Sequence, residues 1–449
     1  MADQVSGGCD PAQRKPMSRV ELLCWVAGCL AVCVVTLLSI RVLQSGGVEP
    51  LPPVSGAASR DIVMRGEYLA RAADCVACHT TVNGQPFAGG RAFATPFGEL
   101  YSTNITSDKQ RGIGGWSDDD FLKAVREGIG KEGNLYPAMP YTSYTAMSRD
   151  DVLAIKAYLI SLPAAAQSNR VNKIGFPFNQ RWSLKFWNSA FFQSKRFQVD
   201  QAQTDEWNRG AYLTTALGHC GECHTPRNLG LAVSDHRALA GTPIEGWLAP
   251  NLTPDASSGL GDWSEEQLLS YLKTGHAEGR SSASGPMAEV IENSLQHLSD
   301  ADLRSMTRYL RSVSVQSGKT AQIELMPKPA MESNAILPRG EAISANRGAD
   351  LFAGDCAGCH QWNGRGRQSS YADLVGTRSV NDPDGGSVVK VILEGTSITI
   401  NGQQMRMPAF AGKYSDEDVA VLANFVIGHF GAKQGHIKQK EVGELRQTH

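Results

Sequence analysis

The hydrophobic pattern changes character once along the chain. Leu22 to Ile40 is 19 residues without a charge, close to the roughly 20 that span a bilayer as a helix. Arg14, Lys15 and Arg19 precede this run and only Arg41 follows closely. The positive-inside tendency then puts the N-terminus in the cytoplasm and the remainder outside it. A retained transmembrane anchor over 22–40 is the first expectation. A cleaved signal ending near Gly56-Ala57-Ala58, and lipoprotein processing at Cys29 after Val26-Ala27-Gly28, compete with it. Beyond Leu51-Pro52-Pro53 the apolar positions take helical spacing. Amphipathic helices are expected over Val152–Leu162, Leu303–Val313 and Val419–Phe430. Each follows a Ser (Ser148, Ser299, Ser415) with carboxylates behind it, the composition of an N-cap and a first turn.

These helices close the units of a threefold repeat, and a repeat decides the fold before anything else does. The units open on Arg65-Gly-Glu-Tyr-Leu, Arg209-Gly-Ala-Tyr-Leu and Arg347-Gly-Ala-Asp-Leu. Each opening helix runs into C-x-x-C-H: Cys75/Cys78/His79, Cys220/Cys223/His224 and Cys356/Cys359/His360. Units one and two share more, since Asn104-Ile-Thr-Ser-Asp to Trp116-Ser117 aligns without a gap on Asn251-Leu-Thr-Pro-Asp to Trp263-Ser264. The expected fold is all-α, three small tandem domains after an N-terminal transmembrane helix. The expected limits are a cytoplasmic N-terminus 1–21, anchor 22–40, linker 41–60 and domain one 61–165. An aromatic-rich interdomain segment 166–204, domain two 205–318, linker 319–341, domain three 342–433 and a basic tail 434–449 follow.

Composition narrows the function. Lys plus Arg (43) and Asp plus Glu (45) leave a net charge of −2, without the basic surplus of a nucleic-acid binder. Of the ten cysteines, six lie in the three motifs and Cys9, Cys24, Cys29 and Cys33 lie in or near the apolar run. None remains in the body for a disulfide framework.

C-x-x-C-H is the attachment signature of c-type haem. At helical spacing the two sulfurs reach the two vinyl groups while the adjacent His reaches the iron. A redox C-x-x-C pair and a zinc site are the alternatives; three His-terminated copies, each opening a repeat, favour three covalently bound haem c groups. Each unit also offers a thioether for the sixth iron position: Met139, Met287 and Met407, which lie 60, 63 and 47 residues after their His. Core packing is the ordinary fate of Met, and Met405 is the rival in unit three. The expected iron ligands are therefore His79, Met139, His224, Met287, His360 and Met407.

Weaker signals remain. Trp116 and Trp263 are placed to donate to a haem propionate, although packing is the commoner role. His219, His276, His297 and His429 read as surface or packing residues. The segment Phe176 to Phe197 interleaves eight Phe and Trp residues with Arg181, Lys185, Lys195 and Arg196. It suits a partner subunit, a membrane, or packing between domains one and two. The tail after Lys433 reads as a solvated end, with contact to anionic lipid as an alternative.

With these residues in view, the chain resembles the membrane-bound tri-haem cytochrome c subunits of bacterial periplasmic dehydrogenases, from about Arg65 to Phe430. The specific stretches are Cys75–His79 through Gly89-Gly90 to Ser117, Phe176–Arg181, Glu206–Tyr212 and Cys220–Asn228. The resemblance implies three cytochrome c domains and haem attachment at the six cysteines. It also implies electron flow from a catalytic dehydrogenase subunit (quinoprotein, flavoprotein or molybdenum enzyme) to ubiquinone or a terminal oxidase. Members differ in how they reach the membrane, so the expected location, inner membrane with the haem domains in the periplasm, rests on the hydropathy of 22–40 rather than on the resemblance. Unit three departs from the family in lacking a proline before Leu374-Val375-Gly376, which puts the backbone partner of His360 in question. A cytochrome subunit of a terminal oxidase, or a multihaem peroxidase, is the competing class. The chain shows no dinucleotide fingerprint and no nucleophile–base constellation, so no substrate-oxidising site of its own is expected.

Overall fold

The computed structural model describes residues 59–317, 347–367, 369–431 and 433–448. Unit one holds helices α1 (Arg60–Ala72), α2 (Asp118–Glu127) and α3 (Arg149–Ser161). Unit two holds α4 (Asp205–Tyr212), α5 (Glu265–Thr274), α6 (Gly285–Asn293) and α7 (Asp300–Leu310). Unit three holds α8 (Arg347–Asp355), α9 (Gly386–Glu394), α10 (Asp416–Phe430) and α11 (Gln439–Arg446). The closing helices start where their serines foretell. Ser148, Ser299 and Ser415 accept from the backbone N–H of Asp151, Asp302 and Asp418, each at 3.1 Å, which satisfies donors that a helix start leaves open.

The Arg-Gly opening has a packing reason. Each opening helix lies against its closing helix, α1 on α3, α4 on α7 and α8 on α10. At Gly66, Gly210 and Gly348 a methyl group would overlap the carbonyl oxygens of Ala154, Ser305 and Val421. Only glycine lets the two backbones approach this closely. Arg209 to Cys220 spans one residue more than Arg65 to Cys75. Unit two absorbs the extra residue as a π-helical turn, Leu213–Leu217, between α4 and the motif.

Two sequence expectations are corrected here. The fold is helical but not purely so. Among the described residues there is one three-stranded antiparallel sheet and four two-stranded ones, with strands of two to five residues, too short to leave an alternation signal. The inner-membrane location is overturned: among the described residues no helix is long and apolar enough to cross a membrane. The longest, α10, has 15 residues, short of the roughly 20 needed. The expected anchor 22–40 lies outside the described residues, as do 41–58 and 318–346.

Units one and two pair reciprocally. Tyr68 of α1 donates to Asp302 of unit two and Tyr212 of unit two donates to Asp151 of unit one, both at 2.6 Å. Within each unit an arginine completes the carboxylate's coordination: Arg65 on Asp151 at 2.5 Å and Arg209 on Asp302 at 2.7 Å. The two units share one apolar core in which Leu69, Val152, Leu159, Leu213, Leu217, Leu303 and Met306 are almost fully buried. Unit three has its own core around Phe352, Val389, Leu422 and Ile427 and rests on unit two. Its 396–407 hairpin meets α6, where the Thr399 N–H donates to Glu292 at 3.1 Å and Gln296 donates to the Thr399 carbonyl at 2.9 Å.

The aromatic segment divides. Phe192 packs edge-on against Tyr141, Phe197 against Tyr212, and Trp187 donates to the Gly230 carbonyl at 2.7 Å, so its second half joins units one and two. Phe176 and Trp182 stay 81% and 61% exposed. The tail departs from the solvated end expected of it. Helix α11 docks on unit three through the fully buried Val442 and through Arg446, which donates to Asp416 and to the carbonyls of Ala411 and Tyr414.

Candidate haem sites

Each C-x-x-C-H motif forms about one helical turn, at Cys75–Cys78, Cys220–His224 and Ala357–His360. Burial pushes the thiols up, to about 12 for Cys75 and Cys220 and about 11 for Cys78 and Cys356. All six motif cysteines are free. A redox dithiol needs a lowered thiol pKa, so these environments argue against that alternative. Among the described residues no group of three His, Cys, Asp or Glu side chains is placed to hold a metal ion.

The three histidines have one geometry. His79 Nδ1 meets the Thr103 carbonyl, His224 Nδ1 the Pro250 carbonyl and His360 Nδ1 the Ala372 carbonyl, each at 2.7 Å. A carbonyl only accepts, so Nδ1 carries the proton and Nε2 keeps its lone pair for a metal. Burial favours the neutral ring, lowering His79 and His360 and taking His224 down to about 4. Ala372 thus supplies in unit three the carbonyl whose source the missing proline had put in question.

Sequence reasoning marked the repeated Asn-x-Thr but missed its task. The residues just before it are Thr103 and Pro250, the two histidine partners. Asn104 is buried; its amide donates to the carbonyls of Ala165 and Gln167 while its oxygen accepts from the Thr106 N–H and hydroxyl. Asn251 repeats this with Ser258, Gln316 and Thr253. A satisfied buried amide fixes the loop and with it the carbonyl that aims the imidazole. The signal was in the sequence, as an aligned Asn one residue after the acceptor.

The methionines take different settings. Met139 follows a turn in which its N–H donates to Tyr136 O at 3.1 Å, and Met287 sits in α6 rather than in a loop. Both are half-buried against the shared core. Met405 and Met407 occupy one face of the strand Gln403–Met407. Both line a cavity of about 850 Å³ with Cys356, Cys359, His360 and Phe410. Met405 also packs on the core of units one and two, which leaves Met407 the less engaged thioether. A cavity of this size, with two thiols, an oriented imidazole and a thioether on its walls, fits a haem.

Among the weaker candidates, Trp263 is 4% exposed and its indole N–H is buried without a partner, as a missing acceptor would leave it. Trp116 is half-buried, with the Lys131 ammonium 5.6 Å from its ring centre. His219 packs edge-on against Tyr144, His276 on Tyr371 and His429 on Phe425, all packing roles.

The cytochrome c family matches residues 63–163 and 345–428. The fructose dehydrogenase cytochrome subunit of Gluconobacter japonicus is 40% identical over 416 residues, covering 89% of this chain and 85% of that one. The gluconate 2-dehydrogenase cytochrome c subunit of Pantoea cypripedii is 40% identical over 427 residues, 91% and 95% of the two chains. The cytochrome c subunit of the quinone-dependent alcohol dehydrogenase of Gluconobacter oxydans is 36% identical over 406 residues, 87% and 83%. The chain belongs to the family of dehydrogenase cytochrome c subunits, electron-transfer proteins built on covalently bound haem c.

Proposed function

We propose that the chain carries three haem c groups and relays electrons, one at a time, from a catalytic dehydrogenase subunit to ubiquinone or a terminal oxidase. The carrying observation is the threefold recurrence of one constellation: two free thiols one helical turn apart, an imidazole whose Nδ1 is 2.7 Å from a backbone carbonyl, and a half-buried thioether. Cys75 and Cys78, Cys220 and Cys223, and Cys356 and Cys359 hold the porphyrins. His79 with Met139, His224 with Met287, and His360 with Met407 would supply the iron ligands. Bound haem supplies a reversible one-electron couple. The protein's work is to exclude water, hold the ligands and tune each potential. An oxygen- or peroxide-handling site needs an open iron position, and each unit offers a Met that would close it. The three domains take the limits 61–165, 205–318 and 342–433.

A quinoprotein, flavoprotein or molybdenum enzyme is the fitting partner, since each takes two electrons from its substrate and must release them singly. The isolated, haem-loaded chain is expected to be reduced by dithionite and to stay oxidised with alcohols, sugars or sugar acids. Adding the catalytic subunit and its substrate is expected to reduce the haems and start transfer to a quinone analogue. Reduction of the isolated chain by an organic substrate would contradict the relay.

A further inference from the structure

One loop of unit three reaches into the second site. Ala372 in this loop accepts from His360, and a few residues on, Arg378 enters unit two. Its guanidinium donates to the Ser258 carbonyl at 2.9 Å and to the Gly259 carbonyl, and its backbone N–H donates to Arg280 O at 3.1 Å. Gly376 passes close to the Gly279 carbonyl, while Tyr371 of the same loop donates to Thr274 O.

The place it enters is short of acceptors. The Arg378 guanidinium lies 5.5 Å and that of Arg280 5.9 Å from the Trp263 ring centre. Arg280 donates to the Gln267 side-chain oxygen at 3.0 Å and to the Asp262 carbonyl. Among the described residues no carboxylate pairs with either guanidinium, and the nearby Asp262 side chain is exposed. The buried Trp263 N–H beside them has no partner. Two cations and an indole donor, the cations bonded only to neutral acceptors, form a site for an anion. The site belongs to the second cradle, since Trp263 shares a core cluster with Leu260 and Leu268 against which Cys220 packs. Unit one has the counterpart of Arg280 in Lys131, which donates to Gly115 O at 2.9 Å below Trp116. It has no counterpart of Arg378.

We propose that Arg378, carried by unit three, joins Arg280 and Trp263 in holding the propionates of the haem at Cys220–His224, so that unit three helps set that haem's potential. Arg378 is a positioning residue, and the inference rests on the reading that this motif carries a haem. A positive charge disfavours the oxidised iron, so removing it lowers the potential. A unit charge about 10 Å away at an effective dielectric of about 20 changes the equilibrium on the order of tenfold, about 59 mV for a one-electron couple.

The test is a potentiometric titration of the matured full chain, with haem counted by its pyridine complex. Arg378→Met is expected to lower one midpoint by about that amount, the same midpoint that Met287→Leu moves, and to leave the other two in place. Arg378→Lys keeps the charge and is expected to retain most of the wild-type value. Tyr371→Phe breaks a bond of the same seam without touching charge and is expected to move no midpoint. If Arg378→Met does not mature, Arg280→Met carries the test through the same midpoint. Unchanged midpoints with all haems present overturn the proposal. So does a fall in Arg378→Lys or Tyr371→Phe equal to that in Arg378→Met, because it would reveal a packing role. A wild-type chain lacking haem at Cys220 and Cys223 would instead fail the underlying reading.

Discussion

A backbone carbonyl has no letter in the sequence, and this decides what was legible at the scale of the residue. The cysteine pairs, their histidines and the candidate methionines could be read from spacing, because the chemistry needs those side chains at those intervals. Thr103, Pro250 and Ala372 could not, since any residue supplies a carbonyl. The buried Asn104 and Asn251 are the readable trace of that acceptor. Replacing Asn251 by Ala leaves several buried partners unsatisfied, which costs roughly 1–3 kcal/mol. Denaturant unfolding is expected to show that loss, and the spectrum of the second haem to change as His224 loses its fixed partner. In unit three the two methionines on one strand face separate by role. Met407→Leu is expected to remove a low-spin His/Met signature, whereas Met405→Leu is a volume-conserving core change costing under about 1.5 kcal/mol. Visible and near-infrared spectra of the two variants decide between them.

At the scale of the element, amphipathic spacing and serine caps located the closing helices to within three residues at each end. What spacing does not carry is how close two helices come. The Gly after each opening Arg sits against a partner carbonyl, and that contact exists only once the closing helix, some 80–95 residues later in units one and two, has docked. Alanine is the better helix former by about 1 kcal/mol, so propensity alone predicts that Gly210→Ala stabilises α4. The overlap with the Ser305 carbonyl reverses the sign: overpacking costs about 1–3 kcal/mol, and thermal unfolding is expected to shift downward. The π turn Leu213–Leu217 was equally hidden. It answers a one-residue difference in length that the repeat alignment contains but whose local outcome depends on packing. The short hairpins leave no periodic trace, and α11 reads in the sequence as a free tail because its charge masks the pair Val442 and Leu445.

The whole molecule is held by contacts between repeats. The sequence announced three units but not that one and two pair by exchanging Tyr–Asp bonds while three leans on two. Asp302 is the natural probe. Burial pushes its carboxyl up, but bonds from Arg209 and Tyr68 outweigh this and hold it below the usual range. A carboxyl lowered on folding contributes stability that is present above its unfolded pKa of about 3.9 and is lost as pH falls through the folded value. Asp302→Asn is therefore expected to be less stable than wild type at neutral pH, with the gap closing below about pH 4. A gap independent of pH would assign the effect to shape rather than charge.

The central claim is that three equivalent constellations in one chain each hold a haem. Covalent attachment makes it countable: the intact mass of the fully matured chain, taken under denaturing conditions, reports the number of porphyrins bound. The account predicts a mass increased by three haems, with peptides spanning Cys75–His79, Cys220–His224 and Cys356–His360 each carrying one. A fully matured chain with two haems or fewer would contradict it.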